Sequence, residues 1–189
     1  MKFIELVDEA IQRGRRLVAD RSPNLPDDDV RTLGRAIGLG ALKYAELSTD
    51  RIKDYVFDWD RMLAFDGNTA PYLQYAHARI HSLLNRAGLT PIALHGSVFH
   101  ISTRHERKLA LRLLSYDGAV RETIERCAPH RLCAYLFDLA RDFTAFYEND
   151  PVLAAESGIR ESRLALAGLT ARVLAHGLTH LGIAAPERM

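Results

Sequence analysis

Residues 57–80 read FDWDRMLAFDGNTAPYLQYAHARI, and the turn inside this stretch decides the fold. Gly67 and Asn68 tolerate left-handed backbone angles, and Thr69 is a good helix cap. Pro71 fits the first helical turn because its missing N–H would be unpaired there in any residue. The stretch therefore predicts a tight turn followed at once by a new helix.

The predicted helix carries an aromatic and cationic stripe. At about 100° per residue, Tyr72, Tyr75 and Arg79 lie within about 60° of one another. The apolar residues form a separate stripe beside them, as expected for an amphipathic helix. A stripe of this kind suits the stacking of an unpaired base beside a phosphate. The alternative is a rim of tyrosines that covers a core and binds nothing.

The rest of the chain is predicted to be helical almost throughout. Apolar residues recur at three- and four-residue steps, which indicates amphipathic helices. The predicted ranges are 3–18, 30–45, 104–114, 117–126, 131–147 and 159–181. Gly34 and Gly38 lie on one face and predict close helix packing, while residues 88–103 lose the helical period and are interpreted as a linker. The predicted fold class is all-α, a helical bundle.

Composition excludes several classes of protein. The chain of 189 residues has a formal net charge of +1, so it lacks the basic surface of a non-specific nucleic-acid binder. No apolar run approaches the roughly 18 residues of a spanning helix, and no secretory signal begins the chain. We therefore predict a cytoplasmic protein. Cys127 and Cys133 have no companion pair and are predicted to be buried small hydrophobic residues.

Candidate catalytic groups are few. His176 and His180 are four residues apart on one predicted helix, but they lack the glutamate and third ligand of a metalloprotease motif, so exposed histidines are the preferred interpretation. Two acidic pairs could be considered for acid–base work: Asp58 with Asp60, and Glu148 with Asp150. Neither has a nucleophile or a phosphate-binding loop beside it. Residue chemistry alone thus predicts a soluble helical domain with an interaction edge.

A family resemblance adds to this. Residues 38–84, GLGALKYAELSTDRIKDYVFDWDRMLAFDGNTAPYLQYAHARIHSLL, resemble the segment of arginyl-tRNA synthetases that follows their KMSKS-type loop. Residues 130–153, HRLCAYLFDLARDFTAFYENDPVL, and residues 160–189, which end in PERM, resemble the C-terminal end of that family. The resemblance implies an α-helical anticodon-binding bundle of the DALR type at residues 67–189. It implies a small helical stem-contact region at residues 1–66.

The chain also departs from the family pattern. It contains neither the HIGH-type motif nor the KMSKS-type loop that surround the ATP site, and it has no βαβ pattern. The family's loop lies a few residues before the helix that resembles residues 2–14, so the chain is expected to start just downstream of the adenylation site. We therefore expect no ligase activity from this chain alone, no catalytic residue, no metal, and no cofactor, with ATP used by the full-length family.

The resemblance implies binding of the anticodon loop of tRNA(Arg). The residues it implies for this contact are Tyr72, Tyr75, Arg79, Tyr147 and Met189. Expected partners are tRNA(Arg) and the catalytic half of the synthetase, with no membrane and no DNA. The open alternative is a free-standing helical RNA-binding or protein-interaction paralogue without ligase activity.

Overall fold

The computed structural model describes residues 2–54, 56–90 and 97–189, and these residues form helices without any strand. The predicted all-α fold class is confirmed. No helix in the described ranges is long and apolar enough to cross a membrane. The helices are α1 (Phe3–Arg21), α2 (Asp27–Ser48), α3 (Trp59–Met62), α4 (Ala70–Arg86), α5 (Arg104–Leu114), α6 (Tyr116–Arg126), α7 (Pro129–Asn149) and α8 (Ile159–His180).

Helices α1 and α2 pack closely through glycines. A Cβ atom added to Gly38 would lie 2.1 Å from the carbonyl oxygen of Ala10, and one added to Gly14 would lie 2.2 Å from the carbonyl oxygen of Gly34. Such distances leave no room for any side chain, so the two backbones touch. The predicted close packing of Gly34 and Gly38 is confirmed, and Gly14 is an unpredicted third member of the contact.

The short helix α3 completes a small core with α1 and α2. The Asp58 carboxylate caps it, accepting hydrogen bonds from the backbone N–H groups of Asp60 at 2.9 Å and Arg61 at 3.2 Å. Trp59 lies with its ring centroid 5.0 Å from the Arg13 guanidinium and 4.8 Å from the Phe57 ring. Asp58 therefore has a capping role in the fold.

The larger core lies among α4, α5, α7 and α8. Its fully buried side chains include Leu73, Ile80, Leu109, Leu136, Leu139, Phe143, Phe146 and Leu164. Tyr44 brings α2 into this core, with its hydroxyl 2.6 Å from Asn68 Oδ1 and 2.9 Å from the carbonyl oxygen of Cys133. The smaller core of α1–α3 is therefore joined to the bundle through α2.

A buried polar network fixes the start of α5. Glu106 is fully buried. Arg163, which lies on α8, donates a hydrogen bond to the Glu106 carboxylate at 2.6 Å. Burial works to raise the pKa of the Glu106 carboxyl, but hydrogen bonds from Arg163, Ser102 and Thr103 lower it below its ordinary value. Asp150, which accepts from the Thr103 hydroxyl at 3.0 Å, belongs to the same network. This places Asp150 in a structural role.

The prediction that both cysteines are buried is confirmed for Cys133 and wrong for Cys127. Cys133 is buried, and burial raises the pKa of its thiol to about 12. Cys127 is exposed, because it ends α6 in a left-handed conformation with φ 47° instead of lying on a helix face.

Of the predicted linker, residues 91–96 lie outside the described residues. Farther along it, the backbone N–H of His100 donates to the Ser162 hydroxyl at 2.8 Å, which ties this part of the segment to α8.

Candidate functional site

Helix α4 positions the candidate site, and the turn before it behaves as predicted. Gly67 has φ +72°, and the Thr69 hydroxyl accepts from the backbone N–H of Tyr72 at 3.2 Å. Asn68 does not adopt the left-handed conformation that the sequence allowed; its side chain accepts from Tyr44 instead. The cap and Pro71 set the phase of α4, so they decide which α4 side chains face the core.

A cleft of about 970 Å³ opens along the outer face of α4, and we call it the α4 cleft. Its walls come from the α1–α2 loop, the start of α2, α4 and the last residues of the chain. The lining residues are Ser22, Leu25, Asp29, Thr32, Leu33, Tyr75, Ala78, Arg79, Ser82, Asn85, Arg86, Pro186, Glu187, Arg188 and Met189. The lining side chains thus include three arginines and two carboxylates beside several apolar residues.

The structure brings three of the five implied residues together in the α4 cleft: Tyr75, Arg79 and Met189. Tyr147 stands behind Arg79, whose guanidinium lies 4.3 Å from the Tyr147 ring centroid. Tyr72 does not line the cleft. It packs against Phe137 of α7, with ring centroids 5.6 Å apart, because the first turn of α4 is covered by α7. Contact with RNA stays a prediction for all five.

The exposed ring of Tyr75 is braced by neighbours that the sequence did not reveal. Tyr75 is 44% exposed, and its ring meets the edge of Phe65 at a centroid distance of 6.1 Å. The Arg21 guanidinium in turn lies 4.0 Å from the centroid of the Phe65 ring. Arg21 lies on α1 and Phe65 lies before the turn, so the pattern within α4 could not indicate these contacts.

The C-terminal segment, residues 182–189, lies against α2 and α4. The Gln74 side-chain amide donates to the carbonyl oxygen of Ala184 at 2.8 Å, and His77 Nδ1 lies 2.9 Å from that of Pro186. Both side chains are buried although polar. Sequence reasoning missed them, yet a signal existed: Gln74, His77 and His81 recur at helical spacing inside an otherwise apolar run.

Comparisons with known proteins identify the family of the chain. The family described as DALR anticodon binding domain matches residues 73–189, the part that runs from α4 to the end of the C-terminal segment. The chain belongs to this family. A second family, described as tRNA synthetases class I (R), catalytic domain, matches residues 1–59. The boundary between the two matches lies in the stretch that holds α3 and the turn.

The relatives of this chain are longer proteins. An arginine–tRNA ligase from Salmonella typhimurium is 48% identical over the whole chain, which spans 33% of that protein. Solved arginyl-tRNA synthetases share the fold over the whole chain: that of Thermus thermophilus with a TM-score of 0.89 at 40% identity, and that of Plasmodium falciparum with 0.90 at 28%. The chain spans 32% and 34% of these two structures. It thus covers about a third of the length of its relatives.

His176 and His180, the histidine pair considered for metal binding, lie on the exposed end of α8. The rings of His176 and His180 are 4.3 Å apart, and His176 Nδ1 is 2.8 Å from the Tyr116 hydroxyl. Among the residues that the structure describes, no group of three metal-ligating side chains occurs. The contact of His176 with Tyr116 ties the first residue of α6 to α8.

Proposed function

We propose that this chain binds the anticodon loop of an arginine tRNA through the α4 cleft. The observation that carries the proposal is the convergence of Tyr75, Arg79 and Met189 on one cleft, in a chain of the DALR anticodon binding domain family. The family resemblance implies all three residues for contact with the anticodon loop. Because the three side chains lie in one cleft, a single RNA loop could contact all of them.

The chemistry of the α4 cleft suits unpaired bases. Anticodon bases are splayed out for recognition, and stacking on an aromatic ring contributes about 1 to 3 kcal/mol per base. Tyr75 offers a partly exposed ring, Arg79 offers a planar cation, and Met189 offers a flexible thioether that adapts to irregular surfaces. All arginine codons have G in the middle position, so the base to be read is the central C of the anticodon.

We infer the role of the whole protein from its relatives. We propose that the chain works in the cytoplasm as the C-terminal part of an arginine–tRNA ligase, with tRNA(Arg) and the catalytic part of the ligase as partners. ATP-dependent arginylation would be the activity of the full-length ligase. Residues 1–66 would contact the tRNA stem and residues 67–189 would hold the anticodon. Because Asp29, Thr32 and Leu33 of α2 also line the α4 cleft, the first region would share in anticodon binding.

The deciding experiment measures binding of this chain to a stem-loop RNA that carries an arginine anticodon. Replacing the central C should weaken binding of this stem-loop. Base-pair changes in a separate hairpin that represents the acceptor stem should alter the binding of that hairpin less. Because the net charge is +1, affinity should also fall only shallowly with salt concentration. Equal affinity for all central bases would contradict the proposal and favour the alternative of a protein-interaction paralogue.

A further inference from the structure

The C-terminal segment runs along α2 and α4 without regular secondary structure. Ile183 is 3% exposed and belongs to the larger core, which anchors the beginning of the segment. Lys43 of α2 donates to the carbonyl oxygen of Gly182. A Cβ atom added to Gly40 would lie 3.0 Å from Gln74 Nε2 and 3.2 Å from Ile183, so glycine at this position leaves room for both side chains.

Side chains of α4 then hold the segment through its main chain. Gln74 Nε2 donates to the carbonyl oxygens of Ala36 and Ala184, at 3.2 Å and 2.8 Å, and so joins α2 to the segment. Two residues further, the carbonyl oxygen of Pro186 meets His77 Nδ1 at 2.9 Å. The two acceptors on the segment, the carbonyl oxygens of Ala184 and Pro186, are two residues apart. They belong to the backbone and do not depend on the tail's side chains.

The contact with Pro186 fixes the state of His77. A carbonyl oxygen only accepts hydrogen bonds, so His77 must carry a proton on Nδ1. Burial lowers the pKa of His77, and the positive charge that His81 can carry lowers it too, against the opposing effects of the Pro186 carbonyl and Glu187. His77 is therefore a neutral donor at neutral pH. His81 lies beside it, with ring centroids 4.5 Å apart and its Nδ1 3.8 Å from the Glu187 carboxylate.

These contacts lie on the face of α4 next to the α4 cleft. Gln74 precedes Tyr75, and His77 lies between Tyr75 and Arg79 in sequence, so one rigid helix carries both sets of residues. Only one residue, Arg188, separates Glu187 from Met189, which lines the cleft. The position of Met189 relative to Tyr75 is therefore fixed by where the segment is fastened on α4.

We propose that Gln74, His77 and His81 are positioning residues that hold the C-terminal segment along α4 and thereby keep Met189 in the α4 cleft. None of the three lines the cleft, so they act on a ligand only through the segment. The effect on RNA binding rests on the proposed function, whereas the effect on Met189 does not. The two parts are therefore tested separately.

The first test observes Met189 in the free protein. The chain has three methionines, so carbon-13 labelling of their methyl groups gives three resolvable signals, and Met189→Leu identifies that of Met189. His77→Ala, which removes the donor, should make the Met189 methyl group mobile while the signal of buried Met62 stays unchanged. His77→Asn, whose amide nitrogen can replace Nδ1 as a donor, should restore the ordered signal. Ordered Met189 in His77→Ala would overturn the proposal.

A second variant guards against loss of the fold. Gln74→Leu keeps a side chain of similar size and adds no methionine signal, but it loses the donor to Ala184, so it should also mobilise Met189. If His77→Ala does not fold, as seen from the Met62 signal, Gln74→Leu decides the matter alone. An unchanged Met189 signal in this variant would then contradict the proposal.

The third test measures binding of the arginine anticodon stem-loop. His77→Ala should weaken binding about five-fold or more, and Met189→Ala should do the same. The double variant should bind no worse than either single variant, since both changes remove the same contact. Additive losses, or full affinity in His77→Ala despite a mobile Met189, would overturn the proposal. Absence of binding by the unaltered chain would instead refute the proposed function, and the methyl signals would still decide where Met189 is held.

Discussion

Tyr72 and Tyr75 are three residues apart on α4, yet the structure gives them different surroundings. Tyr75 is exposed in the α4 cleft, whereas Tyr72 is partly buried against Phe137. We expect Tyr75→Ala to weaken binding of an arginine anticodon stem-loop by about 1 to 3 kcal/mol, the contribution of one stacked base. Titration of a labelled stem-loop measures this effect.

Tyr72→Ala is the matched control for that substitution. It removes the same side chain from a site that packs on α7, so we expect a loss of about 2 kcal/mol in the free energy of unfolding. Its RNA affinity, measured under conditions where the variant is folded, should fall less than that of Tyr75→Ala, because Tyr72 lies outside the α4 cleft. A larger affinity loss from Tyr72→Ala than from Tyr75→Ala would show that the RNA uses the α7 side of the helix.

His77 makes stability depend on pH. Its pKa is lowered in the folded state from the ordinary 6.5, so the unfolded chain binds the proton more tightly. The contribution is complete above pH 6.5 and is lost as pH falls from there towards the folded pKa. His77→Asn should flatten the dependence of the urea midpoint on pH in this window. An equally steep dependence in His77→Asn would assign the effect to other groups.

Among the elements, α1 and α2 depend most strictly on single residues. A Cβ atom at Gly38 would overlap the carbonyl group of Ala10, so Gly38→Ala must push the two helices apart. We expect it to lower the free energy of unfolding by about 1 to 3 kcal/mol, as overpacking does. Urea denaturation followed by circular dichroism measures the change.

Gly118 of α6 provides the opposite case for the same substitution. A Cβ atom there meets nothing within 4 Å, and the residue is exposed. Gly118→Ala should therefore stabilise the chain by about 0.4 to 1 kcal/mol, because alanine restricts the unfolded chain and favours the helix. Destabilisation by both substitutions would mean that helix propensity does not control the result at Gly118.

The helices themselves could be predicted because their information is local. Apolar spacing, the Thr69 cap and Pro71 all act within a few residues, and such signals predicted the start of α4 and both ends of α5. The end of α6 could not be predicted in the same way. Cys127 takes a left-handed conformation there that usually falls to glycine or asparagine, so its identity gave no sign of exposure.

The candidate site was only partly predictable. Tyr75 and Arg79 share a helix face, so their proximity follows from helical geometry alone. Met189 joins them only because the C-terminal segment returns to α4, and the resemblance to the family was needed to expect it there. Phe65 and Arg21, which support Tyr75, depend on how α1 meets the turn, and a pattern within one element contains no such information.

At the scale of the whole molecule, Tyr44 joins the two cores. Its hydroxyl lies within hydrogen-bond distance of Asn68 and Cys133, and burial raises its pKa, which keeps it protonated as a donor. Tyr44→Phe should lower the free energy of unfolding by about 1 to 3 kcal/mol, because buried acceptors lose their partner. Tyr135→Phe, which loses a single bond to the Arg112 carbonyl inside the bundle, is the control. Only Tyr44→Phe should make the two cores unfold at different urea concentrations.

The position of Trp59 makes this separation visible without any label. It is the only tryptophan in the chain, and it lies between Arg13 and Phe57 in the smaller core. Indole emission therefore reports on α1–α3 alone, whereas the far-ultraviolet signal averages over every helix. A stopped-flow refolding experiment that records both signals would give the order in which the two cores assemble, from unmodified protein.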